Sequence, residues 1–272
     1  MPSVAPVRPD GGTSDPDGQQ TLLHPQTQSS DPSTEATAGS PTTRTPDVAA
    51  MFDDVAPVSD RLGSVLSLGM EGRWREAVVA TAGLRAGDAA IDVAAGTGKL
   101  ASVLADRVGP FGRVVAVDLS QAMVERGIAG TRDLVQIDYL VGDALRLPFE
   151  DGSFDAATIA FGLGTLPDLA AGLSEMRRVV RPAGRVVCLE PTMPRPRWWG
   201  AIYHGTARRL VPLAVSVAGR RDAYRQVAAL VRNVPDPDTL ADLMRAAGLV
   251  DVGYRRLGLG AVALHVGSVA RS

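Results

Sequence analysis

The chain has 272 residues, 45% of them hydrophobic, which is enough for one sizeable core and would permit two domains. Its formal net charge of -2, with arginines scattered through both halves, excludes the basic surface that binding to nucleic acid requires. The single cysteine, Cys188, excludes an internal disulfide, and its apolar surroundings RVVCLE predict a small core residue. No apolar stretch reaches the length of about 18 residues that a spanning helix needs, and no secretion signal is present, so we expect a cytoplasmic protein.

The N-terminal segment differs in composition from the rest of the chain. Residues 1–46 are rich in Pro, Ser, Thr, Gly, Asp and Gln, and cannot bury enough apolar surface to offset the entropy of ordering. We therefore predict a disordered extension over 1–46 and one folded domain over 47–272. The folded pattern begins with MFDDVAP at Met51, which makes that methionine a second candidate for the start of translation.

Helices and strands alternate from about residue 72. The helix signals are WREAVVATAGL ending near Gly83, the segment from the glycine turn through Val108, SQAMVERGIAG with Ser120 as N-cap, and LPDLAAGLSEMRRVVR stopped by Pro182. The strand signals are AAIDVA, RVVAVDL, DYLVGDA, FDAATIAFG and GRVVCLEP. These strand signals are continuous rather than alternating, which predicts a parallel sheet with both faces buried by helices.

The C-terminal part follows another pattern. Helices are predicted over about 198–217, 222–232 and 237–247, and residues 192–235 form a helical insertion or lid that could cover the site. The segments LVDVGYRRLG and AVALHVGSV are joined by so short a turn that only an antiparallel hairpin can link them. The predicted fold is α/β, with a mostly parallel seven-stranded sheet, one antiparallel strand and helices on both faces.

The turn IDVAAGTGKLA, residues 91–101, permits three nucleotide-binding interpretations. A phosphate-binding Walker loop requires a glycine at position 93 and Ser or Thr after Lys99, but the chain has Val93 and Leu100 there. A dinucleotide site fits better, because Gly96 and Gly98 allow close backbone approach at the start of a helix. The third interpretation is a site for S-adenosylmethionine (SAM).

Asp118 fits the last two interpretations equally well. It ends the second strand, 20 residues after Gly98, where an acid can bind the ribose hydroxyls of either cofactor. Three other features favour SAM. Asp92 would repel a pyrophosphate but suits the cationic groups of SAM, Asp143 and Ala144 end the third strand where an adenine edge can be bound, and the C-terminal hairpin replaces a second mononucleotide-binding half.

With these residues in place, the chain resembles the class I SAM-dependent methyltransferases, and more closely the C-methyltransferases of ubiquinone and menaquinone biosynthesis. The resemblance covers about residues 51–267. Its supporting stretches are MFDDVAP, LSLGMEGRWR, DVAAGTG, GDALRLPFEDGSFDAATIAFGL, MRRVVRPAGRVVCLE, DAYR, PDPDTLADLMRAAGLVDVGYR and GAVALHVG.

The resemblance implies a Rossmann-like class I methyltransferase fold and SAM as cofactor. It implies SAM contacts at Thr97, Asp118, Asp143 and Ala144, a close turn at Gly96 and Gly98, and Met123 packed near the adenine. It also implies an apolar aromatic acceptor of the demethylmenaquinol type, and with it peripheral contact with the inner face of the membrane. We predict no metal site and no nucleic-acid partner.

The acceptor end departs from the family pattern. Val58 and Ser59 replace Arg and Tyr of A-P-R-Y-D, Gly164 and Thr165 replace Arg and Asn of F-G-L-R-N, and EPTMP replaces E-F-S-K-P. These changes leave open an acceptor that is another aromatic or polyketide-like natural product. A SAM-binding cyclase without methyl transfer and an NAD(P) oxidoreductase are further alternatives.

The sequence does not assign a catalytic base. His204 and Tyr203 lie in RWWGAIYHG, where Trp198 and Trp199 could gate an apolar pocket or touch a bilayer interface. A histidine in such a helix is more often a surface or packing residue. His265, in the terminal strand, is predicted to be structural.

Overall fold

The fold is built on one seven-stranded sheet. The computed structural model describes residues 49–53, 56, 67, 69–192 and 233–271. Its strands are β1 Ala89–Val93, β2 Arg113–Asp118, β3 Ile137–Val141, β4 Phe154–Ala160, β5 Val180–Pro191, β6 Leu249–Leu257 and β7 Val262–Val269. Its helices are α1 Glu71–Ala82, α2 Lys99–Val108, α3 Gln121–Gly130, α4 Leu169–Val179 and α5 Pro237–Ala246. Short 3-10 turns cover Leu163–Thr165 and Gly258–Gly260.

The strand order is β3-β2-β1-β4-β5-β7-β6. Strands β1 to β5 pair in parallel, whereas β7 is antiparallel to both of its neighbours, β5 and β6. The turn Gly258–Gly260 leaves too little chain for a crossover, which forces the hairpin. The predicted α/β fold, with its single antiparallel strand, is confirmed.

Helices bury both faces of the sheet, which explains the continuous apolar strands. On one face, Trp74 and Val78 of α1 and Leu104 of α2 belong to one hydrophobic cluster. On the other face, Leu173 of α4 and Met244 of α5 belong to a second cluster. Cys188 is buried in the second cluster, as predicted, and burial raises the pKa of its thiol.

The helix ends follow local chemistry, with one correction. Gly83 ends α1 with a φ of +72°, and the Ser120 hydroxyl accepts from the backbone N–H of Met123 at the start of α3, as predicted. Helix α4 does not run on to Pro182, and that prediction is wrong. It ends at Val179 because Val180 is already extended and pairs with Phe154 of β4.

Several predicted segments lie outside the described residues. These are the disordered extension over 1–46, most of the insertion over 192–235 and the helices over 198–217 and 222–232. The third predicted helix, over 237–247, corresponds to α5. Among the described helices, none combines the length and the apolar character needed to cross a membrane.

Candidate functional site

A cavity opens at the carboxyl ends of β1, β2, β3 and β4, because parallel strands end at the same edge of a sheet. Seven of the eight predicted cofactor residues line this cavity: Asp92, Gly96, Thr97, Asp118, Met123, Asp143 and Ala144. Gly98, the eighth, is not among the lining residues. The structure thus brings together residues that lie at or after the ends of three separate strands.

The two glycines of the turn after β1 have different surroundings. Both have positive φ angles, +56° at Gly96 and +75° at Gly98. A Cβ on Gly96 would meet no atom within 4 Å, whereas one on Gly98 would stand 1.9 Å from the Tyr139 hydroxyl oxygen. Gly96 therefore leaves its cavity side open, and Gly98 lets the start of α2 pack against β3.

The Asp118 carboxylate connects two turns at the cavity. Its Oδ2 accepts from the backbone N–H of Gly96 (2.7 Å), and its Oδ1 accepts from that of Ser120 (2.9 Å). Burial raises the pKa of this carboxyl group. Because two carboxylate oxygens offer about four acceptor sites, Asp118 keeps acceptor capacity for the hydroxyls of a ribose.

Asp92 is buried at the end of β1, with an exposed fraction of 1%. Its Oδ1 accepts from the Thr158 hydroxyl (2.7 Å), and its Oδ2 is buried with no hydrogen-bond partner in the described part of the chain. Burial raises the pKa of Asp92 to about 7, and the charge of Asp118 adds to this. An unpaired buried carboxylate oxygen beside a cavity fits a ligand that carries positive charge, as SAM does.

Asp143 and Ala144 follow β3 and line the cavity. The Oδ1 of Asp143 accepts from the backbone N–H of Leu145 (2.9 Å), which fixes the local turn. Ala144 and Met123, which also line the cavity, are both buried. The carboxylate is suited to accept from the exocyclic amine of an adenine, and the apolar side chains are suited to pack on its flat face.

Phe52, Glu71 and Arg75 are among the lining residues that had no role in the sequence analysis. Phe52 reaches the cavity because its neighbour Asp53 accepts from the Ser120 hydroxyl and from the backbone N–H of Ala122 (3.1 Å). The motif MFDDVAP drew attention to this segment, but the sequence did not show that the segment packs against the start of α3.

Basic side chains gather at one part of the wall. Arg75 forms an ion pair with Glu71, and the Lys99 ammonium lies 3.9 Å from the same carboxylate. All three residues line the cavity. Guanidinium and ammonium groups bind carboxylates, so this part of the wall suits the carboxylate of an amino acid.

The candidate residues at the acceptor end fall largely outside the described part of the chain. They are Trp198, Trp199, Tyr203, His204, Val58 and Ser59. His265 is buried in β7 with Nε2 at 2.9 Å from the Pro237 carbonyl oxygen, and burial lowers its pKa, in keeping with the predicted structural role. Within the described ranges, no three His, Cys, Asp or Glu side chains are grouped to hold a metal ion.

Comparisons with known proteins agree with this geometry. The model of the ubiE/COQ5 methyltransferase family matches residues 40–269. A demethylmenaquinone methyltransferase of Beutenbergia cavernae is 45% identical over 220 residues, covering 80% of this chain and 89% of the relative. One of Staphylococcus aureus (strain JH9) is 35% identical over 221 residues, covering 80% and 90%.

Solved structures show the same fold. A SAM-dependent methyltransferase of Aquifex aeolicus superposes with a TM-score of 0.54 at 19% identity, over 72% of this chain and 89% of that one. The [4+2]-cyclase SpnF superposes with a TM-score of 0.61 at 17% identity, over 84% and 97%. Identities this low show the fold alone. The family match therefore decides between the cofactor interpretations, in favour of SAM and against a dinucleotide. The chain belongs to the ubiE/COQ5 methyltransferase family and is a SAM-dependent methyltransferase with a Rossmann-like fold.

Proposed function

We propose that this enzyme methylates a ring carbon of a demethylmenaquinol-type prenylated hydroquinone. The observation that carries the proposal is the similarity to two demethylmenaquinone methyltransferases, at 45% and 35% identity, over four fifths of the chain. The family match over residues 40–269 includes the cavity residues and the C-terminal hairpin. Similarity to these relatives thus suggests the acceptor. The proposal also requires that the cavity walls suit such a molecule.

The cofactor half of the cavity has groups for each part of SAM. Asp118 would hold the ribose, and Asp143 with Ala144 would hold the adenine. Arg75 and Asp92 would hold the carboxylate and the cationic groups. SAM supplies an electrophilic methyl group when it is bound.

The other wall is formed by the segment after β4. Phe161, Gly162, Thr165, Leu166 and Pro167 line it. This mostly apolar wall suits a flat aromatic ring. Holding a ring carbon in line with the cofactor can lower the barrier by as much as about 7–11 kcal/mol.

The acceptor would have to be in its reduced form, because an aromatic carbon must be electron-rich to act as a nucleophile. A base near a ring hydroxyl would accelerate the reaction by about 10²–10⁴-fold. A prenylated acceptor also resides in lipid. We therefore propose peripheral contact of the enzyme with the membrane surface through its substrate.

A second candidate acceptor is a different hydroxylated aromatic. Thr165 lines the cavity where the family pattern has an amide, and Gly164 beside it stands where that pattern has a guanidinium. Loss of these polar groups favours an acceptor with other hydrogen-bonding needs.

Labelled SAM decides between the two acceptors. The full chain is incubated without oxygen with a short-chain demethylmenaquinol, with its oxidised quinone, and with a panel of phenols. We expect label in the reduced quinol and none in the quinone. Label in a phenol and none in the quinol would reject the proposed acceptor.

A further inference from the structure

One buried carboxylate lies outside the cavity lining and is not among the groups proposed to bind SAM or the acceptor. Glu190, near the end of β5, has an exposed fraction of 1%. Its Oε1 accepts from the backbone N–H groups of Gly162 (3.0 Å) and Leu163 (2.8 Å). Its Oε2 is buried with no hydrogen-bond partner in the described part of the chain. A buried acid costs free energy, so its presence needs a local reason.

The turn that Glu190 holds is strained. Phe161 has a φ of +61°, a left-handed conformation that is unusual for a bulky residue. At Gly162, a Cβ would lie 2.7 Å from the Cβ of Ala94, so the chain passes very close to the end of β1. The backbone N–H of Phe161 donates to the carbonyl of Leu189 (2.8 Å). Three successive N–H groups of the turn are thus held by β5.

This turn is part of the acceptor wall. Phe161, Gly162 and Thr165 line the cavity, and the 3-10 turn Leu163–Thr165 begins at the two N–H groups that Glu190 accepts from. Strained backbone persists only when its surroundings over-determine it, and such strain clusters at functional sites. Glu190 provides that restraint from behind the wall.

We propose that Glu190 is a positioning residue that fixes the Phe161–Thr165 turn and thereby the shape of the acceptor site. The identity of the acceptor rests on the proposed function, whereas the ordering of the turn does not. Burial raises the pKa of Glu190 to about 8, so uncharged glutamine is a close replacement at neutral pH. Alanine removes the acceptor oxygen altogether.

The test compares wild type, Glu190→Gln, Glu190→Ala and Cys188→Ala, all saturated with SAM. Cys188→Ala is the matched control, because it shortens another buried side chain on the same face of β5 without removing an acceptor from the N–H groups of the turn. Amide exchange is followed by mass spectrometry in the peptide covering residues 160–167. The acceptor KM, kcat and the Kd for SAM are measured in parallel.

Glu190→Ala is expected to speed exchange and raise the acceptor KM by about tenfold each, as loss of one or two hydrogen bonds predicts, with little change in the Kd for SAM. Glu190→Gln is expected to restore both values nearly to those of wild type. The proposal is overturned if Gln behaves like Ala, if Cys188→Ala has the same effects, or if exchange does not change. Should wild type fail to methylate demethylmenaquinol, the proposed acceptor is rejected and the exchange comparison still decides the role of Glu190.

Discussion

Buried acids at the carboxyl ends of the strands differ in how their oxygens are paired. Asp118 is satisfied by two backbone N–H groups, from Gly96 and Ser120. The Oδ1 of Asp92 accepts from the Thr158 hydroxyl, whereas its Oδ2 has no hydrogen-bond partner among the described residues. Burial makes ionisation of Asp92 unfavourable, and a bound cation would offset that cost. Its protonation should therefore report on both folding and cofactor binding.

Asp92→Asn should change the pH dependence of stability in the absence of SAM. In the unfolded chain the Asp92 carboxyl ionises near the ordinary aspartate pKa of 3.8, whereas in the folded protein its pKa is about 7. Between these values the folded state binds one more proton, so the free energy of unfolding falls as pH rises, by up to about 1.4 kcal/mol per pH unit. Urea unfolding at pH 5 and 7.5 should show wild type losing stability relative to the variant. A constant difference would contradict the role assigned to burial.

The same residue should control the pH dependence of SAM binding. A cation beside Asp92 favours the charged carboxylate, so wild type should bind SAM more tightly as pH rises from 6 to 8. Asp92→Asn should lack this increase. Calorimetric titration of both proteins measures it, and ionisation of SAM itself cancels because it is common to both. Parallel curves for the two proteins would argue against a cation at this oxygen.

In the turn between β1 and α2, one glycine allows close packing and the other leaves room at the cavity. Gly98→Ala adds a methyl group at the Tyr139 hydroxyl, whereas Gly96→Ala adds one in open space at the cavity. Both substitutions place alanine at a positive φ, which costs about 1–2 kcal/mol. This pair of glycines therefore offers a matched comparison.

We expect Gly98→Ala to lose more stability than Gly96→Ala, and Gly96→Ala to lose more affinity for SAM. Urea unfolding and calorimetry measure the two effects. Combining Gly98→Ala with Tyr139→Phe removes the clashing oxygen and should recover part of the stability. Equal losses of stability in the two single variants would show that the contact with Tyr139 does not affect the free energy of unfolding.

The site lies where the order in which the chain adds strands to the sheet reverses. The chain runs outward from β1 through β2 to β3, then returns to β4 on the other side of β1. Crossovers on either side of β1 diverge, which leaves a crevice at the carboxyl ends of β1 and β4. Because loops from several strands line this crevice, a ligand there should stabilise the entire fold.

SAM at 100 times its Kd should stabilise the folded state by about 2.7 kcal/mol, which corresponds to an increase in Tm of about 5–10 °C. NAD⁺ at the same concentration should leave Tm unchanged. Thermal unfolding of the full chain with each ligand measures the difference. Asp118→Ala, which loses an acceptor for the ribose, should show a smaller increase with SAM. A larger increase with NAD⁺ would contradict the assigned cofactor.

Local sequence signals predicted the strands and most of the helices that the structure describes. Continuous apolar runs predicted β1, β2, β4 and β5, since a strand buried on both faces has no polar side to expose. Ser120 predicted the start of α3, and the short turn before β7 predicted the antiparallel pair. Asp92, Asp118 and Asp143 were predicted to lie in one site, because the carboxyl ends of all parallel strands lie at one edge of the sheet.

Local signals did not predict which distant residues come into contact. Asp53 reaches Ser120, and Thr158 reaches Asp92, across 67 and 66 positions of the chain. Glu190 holds a turn 28 positions away, and β4 ended α4 before its proline by pairing with Val180. Periodicity and capping are local signals within a few residues. These contacts depend instead on which strands lie side by side, and strand order is set by the packing of the whole sheet.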